Sequence, residues 1–205
     1  NDQLMDAEKL LKRFKYDNFV MTRGSGYHVR RDSTNYEEML ARRMNAKSYS
    51  GILFDEVKKQ SGITTNPYDQ KFTDHFIWFD IHDKLFSATH HVGFNKWWAY
   101  RTTSLAREMA ALEFEAGKLY DDTRRPNYVI RSHAHYFVGV EFANSYGLIS
   151  PAWKFADAFL YRGGLGGTSP TVGAIEIVLE PNGEHLINKI IMHKDKFPKP
   201  EVLHF

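Results

Sequence analysis

Three observations predict an α/β fold. Short apolar runs alternate with amphipathic helical stretches through the first two thirds of the chain. The elements after His135 are mostly β, which implies a second sheet packed on the first. Several strands end in polar turns that carry histidine, and in α/β folds functional side chains gather beyond the carboxyl ends of strands. The 205 residues, 42% hydrophobic and 15% aromatic, suffice for a buried core and are read as one domain spanning residues 1–205.

Leu4, Ala7, Leu10, Leu11 and Phe14 recur at helical spacing, with Lys9, Lys12 and Arg13 left for the other face. Asn18–Thr22 reads as a short buried strand running into the glycine-bearing turn Gly24-Ser25-Gly26-Tyr27-His28. Asp32 to Asn35 supply capping candidates for a helix over Tyr36–Met44. Lys47–Asp74 is polar, broken by Gly51, Gly62 and Pro67, and reads as a loop-rich insertion. His75–Ile81 and Lys84–Thr89 are two strands joined in a tight hairpin at His82-Asp83.

From Ala99 to Tyr120 the stripe Leu105, Met109, Leu112, Ala116 and Leu119 predicts a long helix, capped by Thr102 or Thr103. Lys96, Trp97, Trp98, Tyr100 and Arg101 precede it, and packing of those aromatics into the core is favoured over a base-stacking surface. Tyr128–Ile130 is a β-branched strand ending in Arg131-Ser132-His133-Ala134-His135. Further strands are read over Phe137–Phe142, Gly147–Ile149, Ala158–Tyr161, Gly173–Leu179 and Leu186–His193. Gly163–Gly167 reads as a flexible loop, Asn182-Gly183 as a hairpin turn, and Phe197–Phe205 as an extended tail.

Composition narrows the chemistry. With no cysteine, disulfides, thiolate zinc sites, iron–sulfur clusters and cysteine nucleophiles are all excluded, so a metal must sit on His, Asp, Glu or Asn. A net charge of +2 gives no global electrostatic reason to bind nucleic acid or an anionic membrane. No apolar run approaches the roughly 18 residues of a membrane span, and the cytoplasm is the default location.

Neutral imidazole suits zinc, manganese and iron, and two histidines at i and i+2 can face one site if the backbone turns between them. His90 and the pair His133/His135 therefore stand out as metal-ligand candidates. Lone histidines such as His75, His185, His193 and His204 read as solvated or satisfied within the core.

The ordered blocks Gly24-Ser25-Gly26-Tyr27-His28, Ala88-Thr89-His90-His91 and Arg131-Ser132-His133-Ala134-His135 resemble the later motif blocks of the calcineurin-like metallophosphoesterase superfamily. The segment Ser150-Pro151-Ala152-Trp153-Lys154 resembles the proline–tryptophan stretch of its phage and prophage members. The resemblance implies a metallophosphoesterase-like β-sandwich flanked by helices. It implies two divalent ions (Mn, Fe, Zn or Ni, with Mn favoured) that clamp a phosphoryl group during in-line attack.

In that reading His90 and His133 hold one ion, His135 contributes to the other, and His28 protonates the leaving alkoxide or steadies the transition state. His91 is placed outside the ligand set. Arg23 and Arg131 either meet phosphate oxygens or are solvated surface cations. The substrate would be a phosphomonoester, a cyclic nucleotide or a nucleic acid, and the alternative is a non-catalytic binding or assembly module on a decayed scaffold.

Ser25 stands where many family members carry an asparagine ligand, and Ser132 where they carry glycine. The family's Asp-x-His and Gly-Asp blocks have no counterpart before Asn18, and Asp74-His75 and Asp80-Ile81-His82 are out of family order. The expectation is therefore a C-terminal part of a longer protein, lacking the first strands of the sheet. Alone it would bind at most one metal well and hydrolyse phosphoesters poorly.

Overall fold

The computed structural model describes residues 2–24, 35–48, 72–93, 95, 97–119, 125–153 and 170–192. The predicted strands at Ala158–Tyr161, the loop at Gly163–Gly167, the tail from Phe197, most of the insertion, and Ser25 and His28 lie outside the described residues. The rest is a mixed α/β structure with a central sheet flanked by helices.

Helix α1 (Asp2–Leu11) and helix α2 (Tyr36–Arg43) pack through Leu4, Leu40 and Met44, with Ala7, Leu11, Phe19 and Met21 against them. The buried stripe is narrower than its spacing predicts, since Leu10 and Phe14 are exposed. The Asn35 side chain caps α2 by accepting from Glu38 N–H at 3.0 Å. Glu38 in turn accepts from the backbone of Phe72 and Thr73, tying α2 to the segment that leads into the sheet.

The strands are β1 (Phe76–Ile81), β2 (Lys84–Thr89), β3 (Tyr128–Arg131), β4 (Val138–Phe142) and β5 (Ser145–Ile149), in the order β1-β2-β3-β5-β4. β2, β3 and β5 run parallel, with β1 and β4 antiparallel at the edges. All three central strands thus end on one side, followed directly by His90, Ser132 and Ser150. At their start, Asn127 holds the register: its N–H donates to Leu85 O, its side chain accepts from Leu85 N–H, and its carbonyl accepts from Tyr146 N–H.

The long helix, α3 (Thr103–Leu119), covers one face of this sheet. Leu105 and Met109 pack on Val129, Val138 and Ile149. Gly147 lies beneath them, and a Cβ there would overlap the Met109 sulfur, so glycine is what lets the helix approach. The opposite face carries one residue from each of four strands in matched register, Phe79, Phe86, Tyr128 and Tyr146, stacked at centroid distances of 4.8, 4.5 and 5.6 Å. Over that face lies the predicted second sheet, β6 (Gly173–Leu179) paired antiparallel with β7 (His185–Ile191) through the Asn182-Gly183 turn.

Two expectations are corrected. Asn18–Thr22 is not a strand but a single parallel bridge, Thr22 to Asp74. Its backbone is divided between partners: Phe19 O accepts from Lys47 N–H and Met21 O from Asp74 N–H, so no ladder forms. Trp97, Trp98 and Tyr100 do not pack the start of the long helix into the core. They form a separate 3-10 turn region ahead of it, and the two tryptophans are 75% and 81% exposed.

Candidate metal centre

Parallel pairing of β2 with β3 sets Thr89 opposite Arg131, so the residues that follow each strand emerge side by side. His90 Nε2 and His133 Nδ1 come to 3.2 Å of each other, one ring donating and the other accepting. His91, exposed, lays its ring beside His133 with centroids 4.7 Å apart. A pocket of about 310 Å³ is lined by His90, Ser132, His133, His135 and the turn Ser150–Trp153.

The backbone supports this geometry at a cost. His133 and His135 have φ of 69° and 58°, in the left-handed region that side-chain-bearing residues disfavour by roughly 1–2 kcal/mol. Ser132, standing where the family carries glycine, does not have a positive φ, so the unusual conformation falls on the histidines themselves. Hydrogen bonds fix the turn: Ser132 Oγ meets Ser150 Oγ at 2.8 Å, Ser150 N–H donates to Arg131 O, and Thr171 N–H donates to His135 O. The Ser132–Ser150 pair escaped sequence reading, and the available signal was that each serine directly follows a parallel strand.

Arg131 fits neither of its two predicted roles. Its side chain is fully buried, donating to Glu108 at 2.6 Å, to Ser87 O and Ile130 O, and to Ser87 Oγ. Burial pushes its pKa down and the Glu108 carboxylate pushes it back up. It clamps β2, β3 and α3 together immediately below the histidine turn, and it is neither a phosphate ligand nor a surface cation.

The donor set can be tested against a metal. To hold one ion, His90 Nε2 and His133 Nδ1 would both have to present lone pairs to it, in place of the hydrogen bond that joins them at 3.2 Å. His90 and His133 would be the residues to hold one ion, as two neutral imidazoles. Among the described residues, no group of three or more His, Asp or Glu side chains is arranged to hold a metal, and no carboxylate lines the pocket.

The sequence matches no protein-family model and no curated protein. Among solved structures the chain trace is similar to Vps29 from Entamoeba histolytica. The zinc complex of wild-type Vps29 gives a TM-score of 0.44 at 10% identity, covering 90% of this chain and 88% of that one. A single-mutant structure gives 0.37 at 11% identity, covering 86% and 96%. Likeness at this level is one of chain trace, and it assigns neither family nor activity to the imidazoles gathered at the ends of β2 and β3.

Proposed function

We propose that the protein is a metal-dependent phosphoesterase whose site lies at the carboxyl ends of β2 and β3. The observation that carries this reading is the approach of His90 Nε2 to His133 Nδ1 at 3.2 Å, in a pocket that His135 also lines. His90 and His133 hold one divalent ion, manganese favoured, and His135 serves the second. Bound ions of this kind polarise phosphoryl oxygens and offset the charge that develops on them. The Ser132 and Ser150 hydroxyls, paired across the turn, are positioned to donate to a phosphoryl oxygen once one of them turns away from the other. His28 is the general acid of this proposal. Phosphomonoesters, cyclic nucleotides and nucleic acid are its substrate classes, within a single cytoplasmic domain.

Calorimetric titration of Mn2+ and Zn2+ into wild type and His133→Ala tests it, together with manganese-dependent hydrolysis of an aryl phosphate and of single-stranded DNA. The expected result is one ion per chain bound well and slow hydrolysis by wild type. Both should be lost in His133→Ala, with affinity falling at least about 100-fold. Hydrolysis by the variant at the wild-type rate would show that the assigned site is wrong.

A second reading, a non-catalytic binding or assembly module, draws on two observations. The described residues supply no third ligand, and Trp97, Trp98 and Tyr100 are exposed together as a partner-binding patch would be. It predicts no metal uptake by wild type at micromolar concentrations.

A further inference from the structure

A larger cavity adjoins the histidine pocket. It has a volume of about 660 Å³ and lies between the stacked-ring face of the first sheet and β6. Phe79, Phe86 and Ile130 form its floor, and Ile175, Ile177 and Leu179, alternate residues of one strand, form its roof. Ser150, Pro151 and Trp153 line both this cavity and the histidine pocket, so the two spaces share a wall. The volume falls within the range of sites that hold one small organic molecule.

We infer that this cavity receives a flat, apolar aromatic group whose anionic end reaches the histidines across the Ser150–Trp153 wall. The inference rests on the phosphoesterase reading and narrows its substrate to aryl phosphomonoesters. Its geometry favours an aromatic guest over an aliphatic one. Phe79 and Phe86 stack face to face along the strand-to-strand direction, with planes 8° apart, so their ring edges point toward the space above the sheet. Positive ring edges prefer the negative face of a further ring. The polar groups at the cavity, His82 and Ser150, are few, as expected of a site selecting by shape and apolar contact.

The test combines binding with turnover. Titration with 1-naphthol, followed by its fluorescence, reads the cavity without requiring hydrolysis. Hydrolysis of 1-naphthyl phosphate and of glycerol 2-phosphate, with manganese present, reads the joined sites. Wild type should bind naphthol saturably and favour the naphthyl ester in kcat/KM at least about tenfold more than a cavity-filled variant does, because burial of the ring's apolar surface adds to the intrinsic advantage of the aryl leaving group, which all variants share.

Ile175→Trp fills the cavity from its roof and should lower the preference to that intrinsic level while leaving glycerol 2-phosphate within twofold. Leu179→Phe, a smaller filling change, should lower the preference part-way and serves if the tryptophan variant does not fold. Absence of saturable naphthol binding, or a preference unchanged in both variants, overturns the inference. Saturable binding lost in Ile175→Trp, with no hydrolysis of either ester by wild type, overturns the phosphoesterase reading and upholds the aromatic site.

Discussion

Two short turns of this molecule place residues other than glycine in the left-handed region, for different reasons. At His82-Asp83, φ is 49° and 58°, as the two-residue hairpin between β1 and β2 demands: a turn with both central residues left-handed matches the twist of the strands it joins. At His133 and His135, φ is 69° and 58°, yet no hairpin is closed. That turn leaves the end of a parallel strand, and bonds to other segments hold it on both sides, Ser150 N–H to Arg131 O and Thr171 N–H to His135 O. The first turn is explained by its own two strands. The second is closed at His133 by one short bond, Ala134 N–H to Ser132 O at 2.8 Å, the bond of a strained γ-turn, and strained backbone of this kind is a feature of functional sites.

If tertiary packing holds the histidine turn, removing its anchor should produce the largest effect. Arg131→Ala deletes the ion pair to Glu108 and the bonds to Ser87 and Ile130. The expected loss is about 2–4 kcal/mol in chemical denaturation, below the full cost of breaking a buried pair because the Glu108 side chain is 31% exposed and can rehydrate. Metal affinity should fall with it, while the His82-Asp83 hairpin, remote from Arg131 in register, should keep its amide exchange protection relative to the rest of the sheet. A loss under about 0.5 kcal/mol would show that Arg131 does not anchor the turn.

What the sequence made legible follows the same division. The hairpin at His82-Asp83, the Asn182-Gly183 turn, the capped helix α2 and strands β1 to β7 rest on local patterns, and each appears near its expected place. That His90 and His133 follow strand ends was legible too, and the parallel pairing of β2 with β3 brings them side by side. Long-range partnership was not. Arg131 reads as a surface or phosphate-binding arginine in a sequence, because its burial depends on Glu108 and Ser87, 23 and 44 residues away. Asn18–Thr22 has a strand's composition, but its backbone bonds are divided between two segments, at Lys47 and at Asp74. Trp97 and Trp98 have a core's composition and sit outside it, since hydrophobicity alone does not say which face a turn presents.

A smaller effect isolates the strain itself. His133→Ala and His133→Gly both remove the imidazole and its contact with His90, so both should lose metal binding. Only alanine keeps the left-handed penalty. Glycine should therefore be the more stable of the two by about 0.5–1 kcal/mol, the steric relief being partly offset by the larger freedom of glycine in the unfolded chain. Equal melting of the two variants would mean that the histidine turn relaxes freely and that nothing in the packing constrains it.

The smallest effect belongs to the hairpin and completes the comparison. Asp83 occupies the second central position of its turn, where glycine is the preferred residue, and its N–H is held by the Asp80 side chain at 3.1 Å. That backbone bond survives in Asp83→Gly. The variant should gain a few tenths of a kcal/mol, up to about 1, in thermal or denaturant unfolding. Metal affinity should match wild type, because the hairpin joins β1 and β2 at the end of the sheet opposite His90. A change in metal affinity would mean that strain at one end of β2 is transmitted to its other end. The distinction between a turn shaped by its own strands and a turn shaped by the site would then no longer hold.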